Sequence, residues 1–223
     1  MQLIAKCVAA VCAAIVFCVT MAAAADQSMS GRLFVIDPGH GVRYPNGASL
    51  NVGAVGPTGV AEEAVALSVS ERIARLLRAR GARVALTRSA LHPFRIATDR
   101  AADNRSRAAL ANALGATAFV AIHCDGSTDR ARTGTSVFWW RANSSALADA
   151  LRRHLLALGL GESQFRRRNL AVTDEARVPA ALVELGFVSN PRQAALLADP
   201  RFQEREADAV VAALSDVFAA GRL

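Results

Sequence analysis

Two histidines and two glutamates stand where this chain could do chemistry: His40, Glu62, His123 and Glu184. Two imidazoles and a carboxylate are one of the common ligand sets of catalytic zinc, with a fourth position open for water. Zinc brings the pKa of that water toward neutrality, and a nearby carboxylate can take its proton and later deliver it to a leaving amine. Glu184 is placed for that second task. Each residue also has an ordinary reading. Glu62 could be an acid favoured at a helix start, either histidine a hydrogen-bonded structural residue, and Glu184 a buried carboxylate held by an arginine. No short metal motif of the His-Glu-x-x-His kind ties the four together.

The elements that must position them are legible from periodicity and punctuation. Arg32 to Asp37 is an apolar run of branched and aromatic residues stopped by Pro38-Gly39, which reads as a buried strand ending in a turn that carries His40. From Glu62 to Arg80, Val65, Val69, Ile73, Leu76 and Leu77 share one helical face, and Gly81 follows the end. Val84 to Thr87 reads as a strand, Thr98 to Leu114 as a helix closed by Gly115, and Ala118 to Ile122 as a third strand bounded by His123. Thr135 to Trp139 follows as a strand, and Leu147 to Leu158 as a helix. After an Arg-rich connection, Leu170 to Val172 and Ala180 to Leu185 are expected as two more strands, the second containing Glu184. Asn190-Pro191 and Asp199-Pro200 each join a capping residue to a proline suited to the first helical position, so two helices begin there. The alternation predicts a single α/β domain with a mostly parallel twisted sheet and helices on both faces. Its zinc site would lie at the carboxyl ends of the strands, where ligands gather in such sheets.

Three segments carry a resemblance. Val35-Ile36-Asp37-Pro38-Gly39-His40-Gly41, Ala111-Asn112 with Phe119-Val120-Ala121-Ile122-His123, and Leu182-Val183-Glu184-Leu185-Gly186-Phe187-Val188-Ser189-Asn190-Pro191 are similar, in order and separation too, to the zinc-dependent N-acetylmuramoyl-L-alanine amidases. The resemblance runs from about Leu33 to the C-terminus. It implies that His40, Glu62 and His123 bind one Zn2+ per chain and that Glu184 is the general base. The implied reaction is hydrolysis of the amide between N-acetylmuramic acid and the L-alanine of the peptidoglycan stem. The stretch from His40 to Glu62 is longer than the family pattern, which predicts an added loop at Arg43 to Gly47 and leaves Glu63 as a competitor of Glu62. Larger periplasmic members carry an inserted helix that occludes the zinc. The short stretch between His123 and Glu184 implies a compact form without that lid. Two alternatives are a peptidoglycan-binding protein that has lost turnover and a zinc peptidase acting elsewhere on the stem. The first would have no use for Glu184.

The 223 residues leave room for one ordinary domain. Lys6, an apolar run from Cys7 to Ala25 broken only by Thr20, and small residues before Asp26 make the three parts of a secretory signal. Residues 1–25 are expected to be removed, leaving 26–223 as the catalytic domain. A retained membrane anchor is the alternative; bulky Ile15, Val16 and Phe17 argue against lipid attachment at Cys18. Cleavage would leave Cys124 as the sole cysteine, with no internal disulfide. It would also take the formal charge from +7 to +6 through loss of Lys6, the only lysine. A basic exported chain suits an anionic envelope, and no signature of nucleic-acid binding is present. The expected partner is peptidoglycan polymer or its fragments, met by a monomer in the periplasm, envelope or external medium. Cys124 is expected on the strand face opposite His123, and His92 and His154 away from any metal. One of Trp139 and Trp140 is expected in the core, and Arg166-Arg167-Arg168 in a solvated basic loop.

Overall fold

A computed structural model describes residues 27–41, 51–89 and 99–221. The N-terminal signal reading, the added loop at Arg43 to Gly47 and His92 lie outside the described residues. Six strands form one sheet: β1 (Leu33–Pro38), β2 (Arg83–Leu86), β3 (Ala118–Asp125), β4 (Thr135–Trp139), β5 (Glu162–Arg167) and β6 (Ala180–Phe187). Their order is β2-β1-β3-β6-β4-β5, and every neighbouring pair is parallel except β4 with β6. The helices are α1 (Glu62–Ala79), α2 (Arg100–Ala113), α3 (Ser145–Leu156), α4 (Ala171–Glu175), α5 (Pro191–Ala198) and α6 (Pro200–Ala219). Alternate strand residues divide the core into two layers. Phe34, Ile36, Val120, Ile122 and Val183 pack with α1, α3 and α6, while Val35, Phe119, Ala121 and Leu182 pack with α2 and α4. Both faces of β1 and β3 are therefore buried, so their sequences are continuous apolar runs without alternation. This is the expected α/β domain. Among the described residues no helix is long and apolar enough to cross a membrane.

Helix starts decide where the functional loops go. The Asn190 side chain accepts from the N–H groups of Arg192 and Gln193 at 3.0 and 3.1 Å, and Asp199 from that of Arg201 at 2.8 Å, as their pairing with proline predicts. α1 begins differently, because Ala61 at its N-cap has no side-chain oxygen to offer. Its first amides are taken by the preceding loop: Glu62 N–H donates to the Ala54 carbonyl at 2.8 Å and Glu63 N–H to that of Val52 at 3.1 Å. The helix opened by Glu62 is thereby tied to residues 51–54.

Two expectations fail together between β4 and β6. Leu170 to Val172 is not a strand, since Ala171–Glu175 forms a short helix. The strand comes earlier, at Glu162–Arg167, in the stretch expected to be a solvated basic loop. A three-residue apolar run does not separate period 2 from period 3.6, so tertiary packing decides. Among the described residues β5 is an edge strand paired only with β4, and much of its apolar contact is supplied by β4 aromatics. Phe165 packs on Trp139, ring centroids 4.6 Å apart, and the Arg166 guanidinium lies 6.0 Å from the Phe138 centroid. Trp139 thus joins the core, while Trp140 lies beneath Arg167.

One core group is out of keeping with its surroundings. Glu206, on α6, is fully buried and neither carboxyl oxygen has a hydrogen-bond partner. Burial pushes its carboxyl well above the ordinary value of 4.5. The unfolded chain ionises near that ordinary value, so stability is full below it and is lost as pH rises toward the raised value, by up to about 1.4 kcal/mol per pH unit. Glu206→Leu should remove this loss. Denaturant unfolding at about pH 5 and about pH 8 is expected to weaken the wild type more than the variant. Equal weakening would mean that Glu206 is charged in both states.

Candidate active site

His40 follows β1, His123 lies near the end of β3, and Glu62 opens α1 beside them. Glu62 Oε1 is 3.0 Å from His40 Nε2 and 2.8 Å from His123 Nδ1. Each of the three offers a ligand atom within 4.8 Å of the others, and the two shortest separations approach the ~3.3 Å edge of a tetrahedron built on zinc bonds of about 2.05 Å. Donor chemistry and spacing therefore fit a metal ion of zinc's kind. Burial alone would raise the Glu62 carboxyl, but hydrogen bonds from His123 and His40 and their charges hold it far below the ordinary range. Glu62 Oε2 accepts from Ala54 N–H at 2.9 Å, and Oε1 from Cys124 N–H at 3.2 Å. Asn51 Oδ1 lies 3.2 Å from His40 Nδ1, and a proton held at Nδ1 by that contact would let Nε2, once deprotonated, offer its lone pair to a metal ion. Two glycines make this convergence possible. A Cβ on Gly39 would come within 2.4 Å of the His123 ring, and one on Gly53 within 2.4 Å of Glu62 Oε2.

Two buried arginines hold the turn that presents His40. His40 has φ 60°, the left-handed region that non-glycine residues rarely adopt. Arg107, on α2, donates to the His40 carbonyl at 2.8 Å, to that of Pro38 at 3.0 Å and to Asp37 Oδ1 at 2.8 Å, with Asp103 at 3.1 Å. Burial would raise the Asp37 carboxyl, yet Arg107, with Thr87, holds it below its ordinary value. Arg88 donates to the carbonyls of Pro38 at 2.9 Å, Gly39 at 2.7 Å and Glu63 at 2.9 Å, joining the His40 turn to the start of α1. It also draws the two neighbouring glutamates in different directions. Glu63 pairs with Arg88 at 3.6 Å while Glu62 points to the histidines. Asn51, Arg88 and Arg107 were not anticipated from sequence. The one available signal was Asp103 and Arg107, an i,i+4 charge pair on the helix face that also carries inward Ala108 and Ala111.

The three candidate ligands and Glu184 line one cavity of about 310 Å³. His123 and Glu184 are register partners across β3 and β6, so both side chains leave the sheet on the same face. Cys124 points the other way, buried in the layer of α1 and α6, where burial pushes its thiol well up. Glu184 Oε2 is buried without a hydrogen-bond partner, and among the described residues no arginine pairs with it. Burial, then the charges of Glu62 and Asp125, push its carboxyl well above the ordinary range, with Arg168 opposing. Such a group can exchange a proton within the cavity. His154 takes no part in the cluster and pairs with Asp216 at 2.9 Å.

Residues 34–216 match the N-acetylmuramoyl-L-alanine amidase family. The probable cell wall amidase LytH of Staphylococcus aureus is 30% identical over 193 residues, covering 86% of this chain and 60% of that protein. Its counterpart in Staphylococcus epidermidis is 28% identical over 202 residues, with coverages of 87% and 62%. The chain thus spans about three fifths of the length of these curated relatives. Among solved structures, the catalytic domain of CwlV, an N-acetylmuramoyl-L-alanine amidase of Bacillus (Paenibacillus) polymyxa var. colistinus, superposes with a TM-score of 0.72 at 28% identity, covering 84% of this chain and 98% of that one. AmiC2 of Nostoc punctiforme gives 0.74 at 27% identity, with coverages of 85% and 99%. In sequence over most of its length, and in fold, this chain belongs to the N-acetylmuramoyl-L-alanine amidase family.

Proposed function

We propose that this protein is a zinc-dependent peptidoglycan amidase that hydrolyses the bond between the lactyl carbonyl of N-acetylmuramic acid and the L-alanine of the stem peptide. The observation that carries this reading is a partly buried Glu184, its Oε2 enclosed and without a hydrogen-bond partner, in the same cavity as the convergent His40, Glu62 and His123. His40, Glu62 and His123 would hold the ion, with Asn51 fixing the His40 ring. When bound there, zinc supplies Lewis acidity, polarising a carbonyl and making water nucleophilic near neutral pH. Glu184 accepts the proton of the attacking water and delivers it to the alanine nitrogen as that amine leaves. A carboxyl with a raised pKa suits both halves of the transfer.

A basic chain with a secretory signal at residues 1–25 would act on the cell wall from outside the cytoplasm, as a monomer on polymer or released fragments. A binder without turnover is disfavoured because it has no use for Glu184. Digestion of purified peptidoglycan by the mature chain, with products identified by mass, is expected to give free stem peptides and peptide-free glycan. Shortened stems still attached to sugar would mean a peptidase, and unaltered sacculi a binder. Protein purified without added zinc should carry one equivalent. Less than about half an equivalent, with turnover insensitive to a strong chelator, would remove zinc from the reading.

A further inference from the structure

We propose that Arg166 and Arg168 form a carboxylate-binding subsite beside the cavity, selecting substrates whose peptide bears a free carboxyl about two residues from the scissile amide. This rests on the amidase reading above. Phe138 is 2% exposed, and the two guanidinium carbons lie 6.0 and 5.3 Å from its ring centroid. A cation stacked on an aromatic face keeps its in-plane N–H donors for another partner. Neither guanidinium makes an ion pair or a side-chain hydrogen bond among the described residues, unlike Arg88, Arg107, Arg141 and Arg152. The Arg168 backbone is fixed, its N–H donating to the Trp139 carbonyl at 2.8 Å and its carbonyl accepting from the Thr173 hydroxyl at 3.3 Å. Arg168 lines the cavity together with Glu184.

Register sets the scale. Glu184, Ser136 and Gln164 form one row across β6, β4 and β5, and Leu182, Phe138 and Arg166 form the next row on the same face. Two residues along a strand are about 7 Å, which an extended substrate also covers in two residues. A carbonyl poised at Glu184 therefore brings the second peptide residue level with Phe138 and its two arginines. Two unengaged guanidinium forks match a carboxylate. The carboxylate must come from the peptide, because the lactyl carboxyl of the sugar is consumed in the scissile amide.

The test uses two soluble muramoyl peptides that differ only in a free carboxyl or a carboxamide on the second residue. The wild type is expected to prefer the carboxylate by about 10- to 100-fold in kcat/KM, chiefly through KM. In the Arg166→Gln/Arg168→Gln double variant that ratio should collapse toward one, with Arg168→Lys intermediate because it keeps charge and loses the fork. Equal hydrolysis of both substrates by the wild type overturns the subsite and leaves the amidase reading standing. So does a double variant that slows both substrates alike and keeps the wild-type ratio, since the arginines would then act only through the field at Glu184. If the double variant does not fold, the wild-type ratio decides. Hydrolysis of neither muramoyl amide overturns the amidase reading, and the subsite with it.

Discussion

Glu184→Gln is expected to keep the fold and the bound metal while losing hydrolysis by a factor of roughly 10² to 10⁴, the contribution of a positioned general base. Glutamine has the size and polarity of glutamate but cannot take the proton of the attacking water. Packing should survive the change, because Glu184 Oε2 has no hydrogen-bond partner to lose. Removing a carboxyl that burial holds well above its ordinary value should cost no stability near neutral pH and could add some. His40→Ala and His123→Ala should behave differently. Each deletes one of three convergent donors, so metal and turnover should disappear together. Metal content and sacculus hydrolysis, measured side by side on the three variants, separate the roles. A Gln variant that lost its metal would make Glu184 a ligand and return Glu62 to the status of a helix-start acid. One that kept full activity would place the base elsewhere.

The parts of this site that sequence exposed and the parts it hid differ in physical kind. His40 and His123 sit where apolar runs stop, and buried parallel strands betray themselves by continuous apolar composition. Glu184 was visible because a carboxylate inside Ala-Ala-Leu-Val-Glu-Leu is costly unless it has a task. Glu62 could be separated from Glu63 only by the direction of its side chain, which Arg88 and the loop at 51–54 impose. Arg88 and Arg107 act through carbonyls of a turn that lies far from both in sequence, 49 residues from Gly39 and 67 from His40, and no local pattern encodes such a contact. β5 escaped because its exposed, Arg-rich residues lack alternation, its burial being borrowed from Trp139 and Phe138.

Arg107→Met should destabilise the protein by about 3–5 kcal/mol, the usual consequence of removing one partner from a buried ion pair. Arg107 and Asp37 are each 1% exposed. Without the guanidinium, Asp37 keeps among the described residues only the Thr87 hydroxyl as a direct side-chain partner, and Asp103 loses its contact at 3.1 Å. Methionine fills similar volume, so the loss should report charge and hydrogen bonding in preference to a cavity. Acid dependence gives a second reading of the same pair. Because the Asp37 carboxyl is held below its ordinary value of 3.8, its contribution is present above that value and is lost as pH falls through the lowered one. The variant should therefore lose less stability than the wild type on acidification across that interval. The third consequence reaches the candidate metal site. Arg107 donates to the His40 carbonyl at 2.8 Å, and His40 holds φ 60°, a conformation that persists only while its surroundings enforce it. Freed from that bond, the turn should relax and zinc affinity fall by about 10- to 100-fold, as happens when partners behind metal ligands are removed. Replacing Asp37 by Leu in the same chain should restore part of the stability, since one of the two buried carboxylates left without the guanidinium is then gone. It should not restore the metal, because the carbonyl contact is still missing. Unfolding midpoints and competitive zinc titration of the single and double variants would decide the matter. Unchanged affinity in Arg107→Met would confine Arg107 to the core and leave the His40 turn to Arg88 and the backbone bonds of Gly39 and Gly41.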